Sequence, residues 1–450
     1  MAAESFKFNQ DSSWKFCQVF GDVAAIEDVK EEDLISSIEF NTTGDFLAAG
    51  DHGGRVVLFE RVEKTPKSPS GTRHRHSAQY RFFTEFQSHE QEFDYLRSLE
   101  IDEKINQIRW CHPQAGAHFL LTTNDKTVKL WKVYERKSKQ LASMSAAPRP
   151  AGTVQIPRLV GSKSVLSAAP KRVFNNAHAY HINSLSLSSD GVTFLSADDL
   201  RINMWSTERP ETAFNVVDIR PPNLDNLVEV ITAAECHPGE AATFAYGTSK
   251  GVIRLCDLRA SALCDFGSKS FNESTAGQPP KSFYQEIASS ISDLHFSKDG
   301  KYMFSRDFLT LKVWDVAMES RPLHTIPIHD SLKPHLPHLF EQDVIFDKFE
   351  CAVSPSGSHV LTGSYNNNFH IYDRMGRGGI CIEASRERAT RKRGATKTPR
   401  LTKTRARGQG LIGNVDTARK ILHMGWHPTE DIIAVATATN MFVYAGTRAQ

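Results

Sequence analysis

ISDLHFSKDGKYMFSRDFLTLKVWD, residues 291–315, decides the fold. Apolar and polar side chains alternate from Ile291 to Phe296, and Lys298-Asp299-Gly300 then gives a turn signal. Alternation resumes at Tyr302, a second turn follows Asp307, and a third alternating run ends in Trp314-Asp315. Period-2 alternation between turn residues is the signature of half-buried strands, so the stretch reads as three strands in antiparallel succession.

The plan recurs along the chain. GDHGGRVVLFE (50–60), TNDKTVKLWK (123–132), SADDLRINMWS (196–206), TSKGVIRLCDLR (248–259), SYNNNFHIYD (364–373) and ATATNMFVYAG (436–446) match the third run. Each follows a strand–turn–strand phrase such as ISSIEFNTTGDFLAAG or ILHMGWHPTEDIIAVAT. Repeated three-strand units with room for a fourth predict an all-β, seven-bladed β-propeller spanning 1–450 as one domain. WKFCQVF (14–20) is expected to supply the last blade's outer strand and so remove an open sheet edge. The phrases resemble WD repeats. Trp314-Asp315 keeps the name-giving dipeptide, and His89, His178 and His329 stand where such repeats carry a histidine.

The repeat end-points Phe59, Trp131, Trp205, Cys256, Trp314, Tyr372 and Tyr444 lie 72, 74, 51, 58, 58 and 72 residues apart. A plain blade needs about 40–45. The surplus must sit in loops, which carry function on a rigid scaffold. Loops from a blade's outer strand to the next inner strand open on the top face. They include 89–105, 221–230, 282–290 and 329–346. Between Glu85 and Glu103 seven acids and one base, Arg97, interleave with Phe86, Phe93, Tyr95, Leu96, Leu99 and Ile101. That composition suits a docking surface for basic peptides; the plainer reading is a solvated charged loop, or an amphipathic turn opened by a Ser88/Gln91 capping box. Residues 132–172 follow a third strand and leave from the bottom. Rich in Ser, Ala, Pro and basic residues, they predict an arm ordered by a partner and removable without unfolding the propeller.

The net charge of +2 conceals a local +9 over 386–407, so the remainder carries −7. The basic loop, 386–420, falls between blades 6 and 7 and lacks the interleaved aromatics of a nucleic-acid-binding strip. A nuclear-import signal or a solvated loop is the preferred reading. No run suggests a membrane-spanning helix, and the seven unpatterned cysteines suit a reducing compartment. A soluble protein of cytoplasm and nucleus is expected, binding neither nucleic acid nor membrane.

Catalytic motifs are missing. There is no phosphate loop, HExxH or GxSxG, and no cofactor or metal is called for. His112, His237 and His427 each precede Pro at one repeat position and read as turn residues. His324, His329, His335 and His338 share one irregular loop, read as solvent-exposed rather than metal-binding. Asp125, Asp199 and Asp307 occupy the turn before the third strand, where a carboxylate caps backbone N–H groups. Asp198-Asp199 offers one carboxylate more than that turn needs.

EFDYLRSLEIDEKIN (92–106) and NAHAYHINSLSLSSD (176–190) resemble the two signature segments of the B-type WD-repeat regulatory subunits of protein phosphatase 2A. SADDLRINMW, EVITAAECHP, SKGVIRLCDLRASALCD, IFDKFEC, LTGSYNN and KILHMGWHP resemble the same family. The resemblance implies a non-catalytic subunit that joins a helical-repeat scaffold A subunit and a catalytic C subunit, then selects phosphoprotein substrates. It implies an acidic top groove of Glu31, His52, Phe93, Arg97, Glu103, Tyr180, Asp198, Asp199, Leu224, Leu227, Tyr284, Asp343, Phe346 and Lys348. It also implies scaffold contact through Ile156, Pro157, Arg158, Leu159 and Val160. His52 and Arg97 stand where familiar members carry Lys. The competing reading is a free-standing WD-repeat interaction scaffold.

Overall fold

The computed structural model describes residues 13–21, 30–62, 79–95, 98–113, 116–141, 159–265, 269–273, 282–385, 411–412 and 415–447. Alternation of small or branched apolar residues with polar ones produces seven four-stranded antiparallel sheets, the blades of a propeller. Blade 5 is the opening stretch. Ile291–Phe296 lines the centre, Tyr302–Asp307 and Thr310–Asp315 follow, and His324–Pro327 is outermost. Blade 7 is assembled from both ends of the described chain: Ser13–Phe20 pairs antiparallel with Asn440–Thr447 and closes the ring.

The core lies between blades. Leu195, Ile202 and Val217 of blade 3 pack on Phe244, Tyr246 and Cys256 of blade 4. Ile253 and Phe271 of blade 4 meet Leu294, Met303 and Trp314 of blade 5. Each such side chain contributes roughly 1.5–3 kcal/mol when fully buried. Polar bonds stitch the inner strands together. Ser37 Oγ accepts from Ile108 N–H, Gln107 Oε1 from Leu185 N–H and Ser184 Oγ from Ala234 N–H. Glu235, Asp293 and Glu350 accept in turn from Phe296, Cys351 and Met424 N–H. Each bond joins a blade to its successor.

The recurrent histidines are structural. His178 Nε2 lies 2.6 Å from Ser196 Oγ, which also accepts from Trp205 Nε1 at 2.8 Å. His89 and His329 are equally buried. His237 and His427 each accept two backbone N–H groups within their own turns, and their rings seat Gly300 and Gly44 of the following blade. His112 seats Gly191 in the same way.

Three expectations need correction. The cap before the third strand is Asn124 in blade 2 and Asp198 in blade 3, one position earlier than read, while Asp307 holds in blade 5. Asp125 instead accepts from Asn106 Nδ2. Residues 92–101 form no capped turn: Glu92–Asp94 pairs with Leu99–Ile101 as a small hairpin, and Ser88 is buried against Thr122. Nor is the 132–172 arm separate from the propeller. Val128–Leu141 and Leu159–Phe174 pair along their whole length, and Leu159–Phe174 is blade 2's outer strand. His118–Thr123 reaches only as far as Val133, so beyond it the ribbon is two-stranded. Ala168 and Phe174, at its base, pack into the core.

Candidate functional site: the top face

Alternating strand direction puts the outer-to-inner and second-to-third connections at one end of every blade. Every described residue of the expected groove lies in such a connection. Glu31 precedes blade 1 and His52 is in its second turn. Phe93 and Glu103 lie between blades 1 and 2, Tyr180 between 2 and 3, and Asp198 and Asp199 in blade 3's second turn. Leu224 and Leu227 follow blade 3, Tyr284 follows blade 4, and Asp343, Phe346 and Lys348 follow blade 5. Arg97 lies outside the described residues.

A cleft of about 750 Å³ opens between blades 3 and 6, lined by Asp199, Val228, Glu286, Ile287, Phe346 and Lys348 among others. One short helix contributes Glu286 and Ile287 to its wall, and a second packs behind Phe346. Helix α1, Phe283–Ala288, starts at a capping box in which Ser282 and Gln285 satisfy each other's backbone N–H groups. Helix α2, Leu336–Glu341, carries Pro337 in its first turn, where the absent N–H is harmless. Leu332, Leu336, Leu339 and Ile345 anchor the 329–346 loop onto Phe308, Phe349 and Tyr365. Asp347 fixes its far end by accepting from Tyr365 Oη at 2.9 Å and Lys420 Nζ at 2.5 Å.

These anchors leave aromatics outside. Phe283 is 62% exposed and Phe346 53% exposed, yet both touch the Phe340 ring, with centroids 5.8 Å away in each case. Tyr284 completes the cluster at 5.6 Å from Phe340. Across the face, Phe93 and Tyr95 form an edge-on pair at 5.0 Å on the small hairpin. Leu224, Leu227 and Val228 add exposed apolar surface near the cleft. Rigid exposed aromatics beside polar groups are the makings of a protein-docking surface. Asp343 has a left-handed φ of 57°, a conformation Asp tolerates, and so turns the chain from α2 toward Phe346.

Burial raises the carboxyl pKa of Asp199, and Lys348 pulls it back down. Burial, with Lys104 nearby, lowers the His52 imidazole to about 4, so His52 is neutral at pH 7. The ammonium of Lys104 is itself lowered by burial, against the pull of Asp125, Asp102 and Glu31. Lys104 thus couples electrostatically to Glu31, His52 and Lys348 of the expected groove, although sequence reading passed over it; its place in the DEKIN phrase was the available signal. Phe283 and Phe340 were also missed, for an exposed aromatic in an irregular loop has no pattern to betray it.

Asp198 does not belong to the surface. It is 0% exposed, accepts from Leu200 and Arg201 N–H at 2.8 and 2.7 Å, and faces His178. Ile156, Pro157 and Arg158 lie outside the described residues, and Leu159 and Val160 begin the ribbon's returning strand. His329 is buried on Ser364, whereas His335 and His338 are exposed, so the loop histidines do not act together.

Comparison with known proteins agrees with this architecture. The "WD domain, G-beta repeat" family model matches residues 169–206, the blade holding His178, Ser196, Asp198 and Trp205. The Cps50 (Swd1) β-propeller domain of Myceliophteria thermophila superposes with a TM-score of 0.53 at 14% identity, covering 92% of this chain and 97% of that one. That likeness speaks for the fold alone. The B-type regulatory subunit of protein phosphatase PP2A from Schizosaccharomyces pombe is 48% identical, over 96% of this chain and 97% of its own. The chain belongs to the B-type regulatory subunits of protein phosphatase 2A. A Dictyostelium discoideum relative, "Serine/threonine-protein phosphatase 2A regulatory subunit phr2AB", is 45% identical over 96% of this chain and 98% of its own. This phosphatase 2A family is named for regulation, not catalysis.

Proposed function

We propose that this chain is a non-catalytic regulatory subunit of a protein phosphatase 2A heterotrimer. It docks on a helical-repeat scaffold subunit and recruits phospho-Ser/Thr proteins to the catalytic subunit through its top face. One observation carries the reading of the site: residues from six inter-blade connections lie on one face, three of those connections lining a cleft flanked by exposed aromatics. Carboxylates on that face, Glu31, Glu103, Asp199 and Asp343 among them, favour substrates with Lys or Arg near the phosphosite. The blade 2 ribbon, projecting from the opposite end, is the element offered to the scaffold.

The test is charge reversal at Glu103, which lies in an inter-blade insertion with no repeat-imposed task. In the reconstituted heterotrimer, Glu103→Lys should keep the wild-type melting temperature and scaffold binding. It should lose the preference for basic over acidic phosphopeptides, and the wild-type preference should weaken as salt rises, since screening acts over about 8–10 Å. Equal rates on both peptides in wild type and variant alike would overturn the groove assignment.

A further inference from the structure

The narrow centre of the propeller holds a second cavity, of about 330 Å³, unconnected with the recruitment reading. Glu39, Asp293, His295, Glu350 and Cys351 line it with Arg109. Asp293, His295 and Cys351 each offer a ligand atom there, and these three atoms lie within 4.8 Å of one another. We propose that the channel between blades 5 and 6 binds one divalent d-block cation of the zinc type through Asp293, His295 and Cys351.

Four features of the geometry support this. Carboxylate, imidazole and thiolate together suit zinc-class ions, whereas calcium and magnesium take oxygen alone. Bonds of about 2.0–2.3 Å put ligand atoms a little over 3 Å apart in a tetrahedron. His295 Nε2 and Asp293 Oδ2 are already 3.1 Å apart, and Cys351 need only turn inward. The other imidazole nitrogen, Nδ1, lies 3.0 Å from Glu235 Oε1, the outer carboxylate that orients a metal-bound histidine. All three residues line the cavity, which has room for a water molecule as fourth ligand.

Charge points the same way. Glu39, Glu235, Asp293 and Glu350 crowd this channel against Arg109, which bonds Glu39 at 3.0 Å, and the imidazoles of His295 and His423. Buried carboxylates demand compensation, and a dication supplies it where three inner strands meet. Ligation would replace the protons on Nε2 and Sγ, which leave to solvent.

The experiment uses the full chain without a histidine tag, stripped with chelator and titrated with Co²⁺ or Zn²⁺. One equivalent of Co²⁺ should survive gel filtration, with a thiolate-to-cobalt absorption band, and Zn²⁺ should raise the melting temperature. Cys351→Ser and His295→Gln should abolish the band, and Glu235→Gln should weaken binding about 10- to 100-fold. Cys381→Ala, at the exposed cysteine, should change nothing. Failure of the wild-type chain to retain metal would overturn the proposal without need of any variant. So would retention undiminished in Cys351→Ser, which marks an adventitious ion only.

Discussion

His178 Nδ1 lies 3.0 Å from the Asp198 carboxylate, and neither side chain reaches solvent. Asp198 holds two backbone N–H groups as well, so its removal strands several buried polar groups together. Asp198→Ala should lower unfolding free energy by about 2–4 kcal/mol. Asp199→Asn, one residue along and open to the cleft, should stay within about 0.5–1 kcal/mol. Denaturant titration of both variants checks the contrast.

Buried neutral histidines make the propeller acid-sensitive. Burial, helped by Lys129, depresses His89 to about 3, while its unfolded value is near 6.5. Protons therefore bind the unfolded chain more readily. The stability His89 provides is complete above pH 6.5 and is lost as pH falls toward 3, by at most about 1.4 kcal/mol per pH unit. His329 is depressed in the same direction by burial and by Arg306. Melting temperature should drop between pH 7 and 5, and His89→Gln should flatten that slope while lowering stability at pH 7.

Glycines at equal φ should differ in what they tolerate. Gly300 and Gly376 have φ of 69° and 65°, but a Cβ at Gly300 would strike the His237 ring. At Gly376 the nearest atom, Ile326 Cγ1, would be 3.8 Å away. Gly376→Ala should cost about 1–2 kcal/mol from backbone strain alone, and Gly300→Ala clearly more. Thermal unfolding of the pair measures the difference.

Much of this was legible in the sequence, because a propeller repeats its instructions. The 291–315 phrase gave three strands of blade 5, and 14–20 gave the strand that closes the ring. The top-face placement of Glu103 and Phe346 followed from strand alternation once blades were counted, whereas that of Tyr180 came only from the family resemblance. What escaped was local. Asp199 was read as the capping carboxylate of its turn, yet Asp198 bears the cap, because adjacent carboxylates differ only in which one points inward. The outer strand Leu159–Phe174 was hidden because its Ser- and Ala-rich run, LVGSKSVLSAAPKRVF, resembles a linker. Its ladder to Val128–Leu141 is a long-range pairing that composition does not report.

The ribbon must accordingly be cut with care. Removing all of 132–172 strips blade 2 of its outer strand and should unfold the blade. Replacing 135–166, which begins and ends at the paired residues Glu135 and Leu166, with Asn-Gly should spare it. The shortened chain should keep its melting temperature and lose scaffold binding in a pull-down; unchanged affinity would place the interface elsewhere.

The aromatic shelf gives a charge-free counterpart to Glu103. Phe283→Ala and Phe346→Ala should alter stability by no more than about 0.5 kcal/mol, since both rings are mostly exposed. If the shelf anchors substrates, either change should slow dephosphorylation of a protein substrate several-fold while leaving a short phosphopeptide untouched.

Ser13 pairs with Thr447. A chain synthesised at roughly 5–20 residues per second must therefore carry its first strand unpaired for on the order of 20–90 seconds before the partner emerges. Through that interval Trp14 and Phe16 lack the Trp426, Phe442 and Tyr444 rings they pack on, and the other six blades exist as an open arc. Birth is thus the hazardous stage for this molecule, and holding that early strand away from its neighbours on the polysome is a task that falls to the cell.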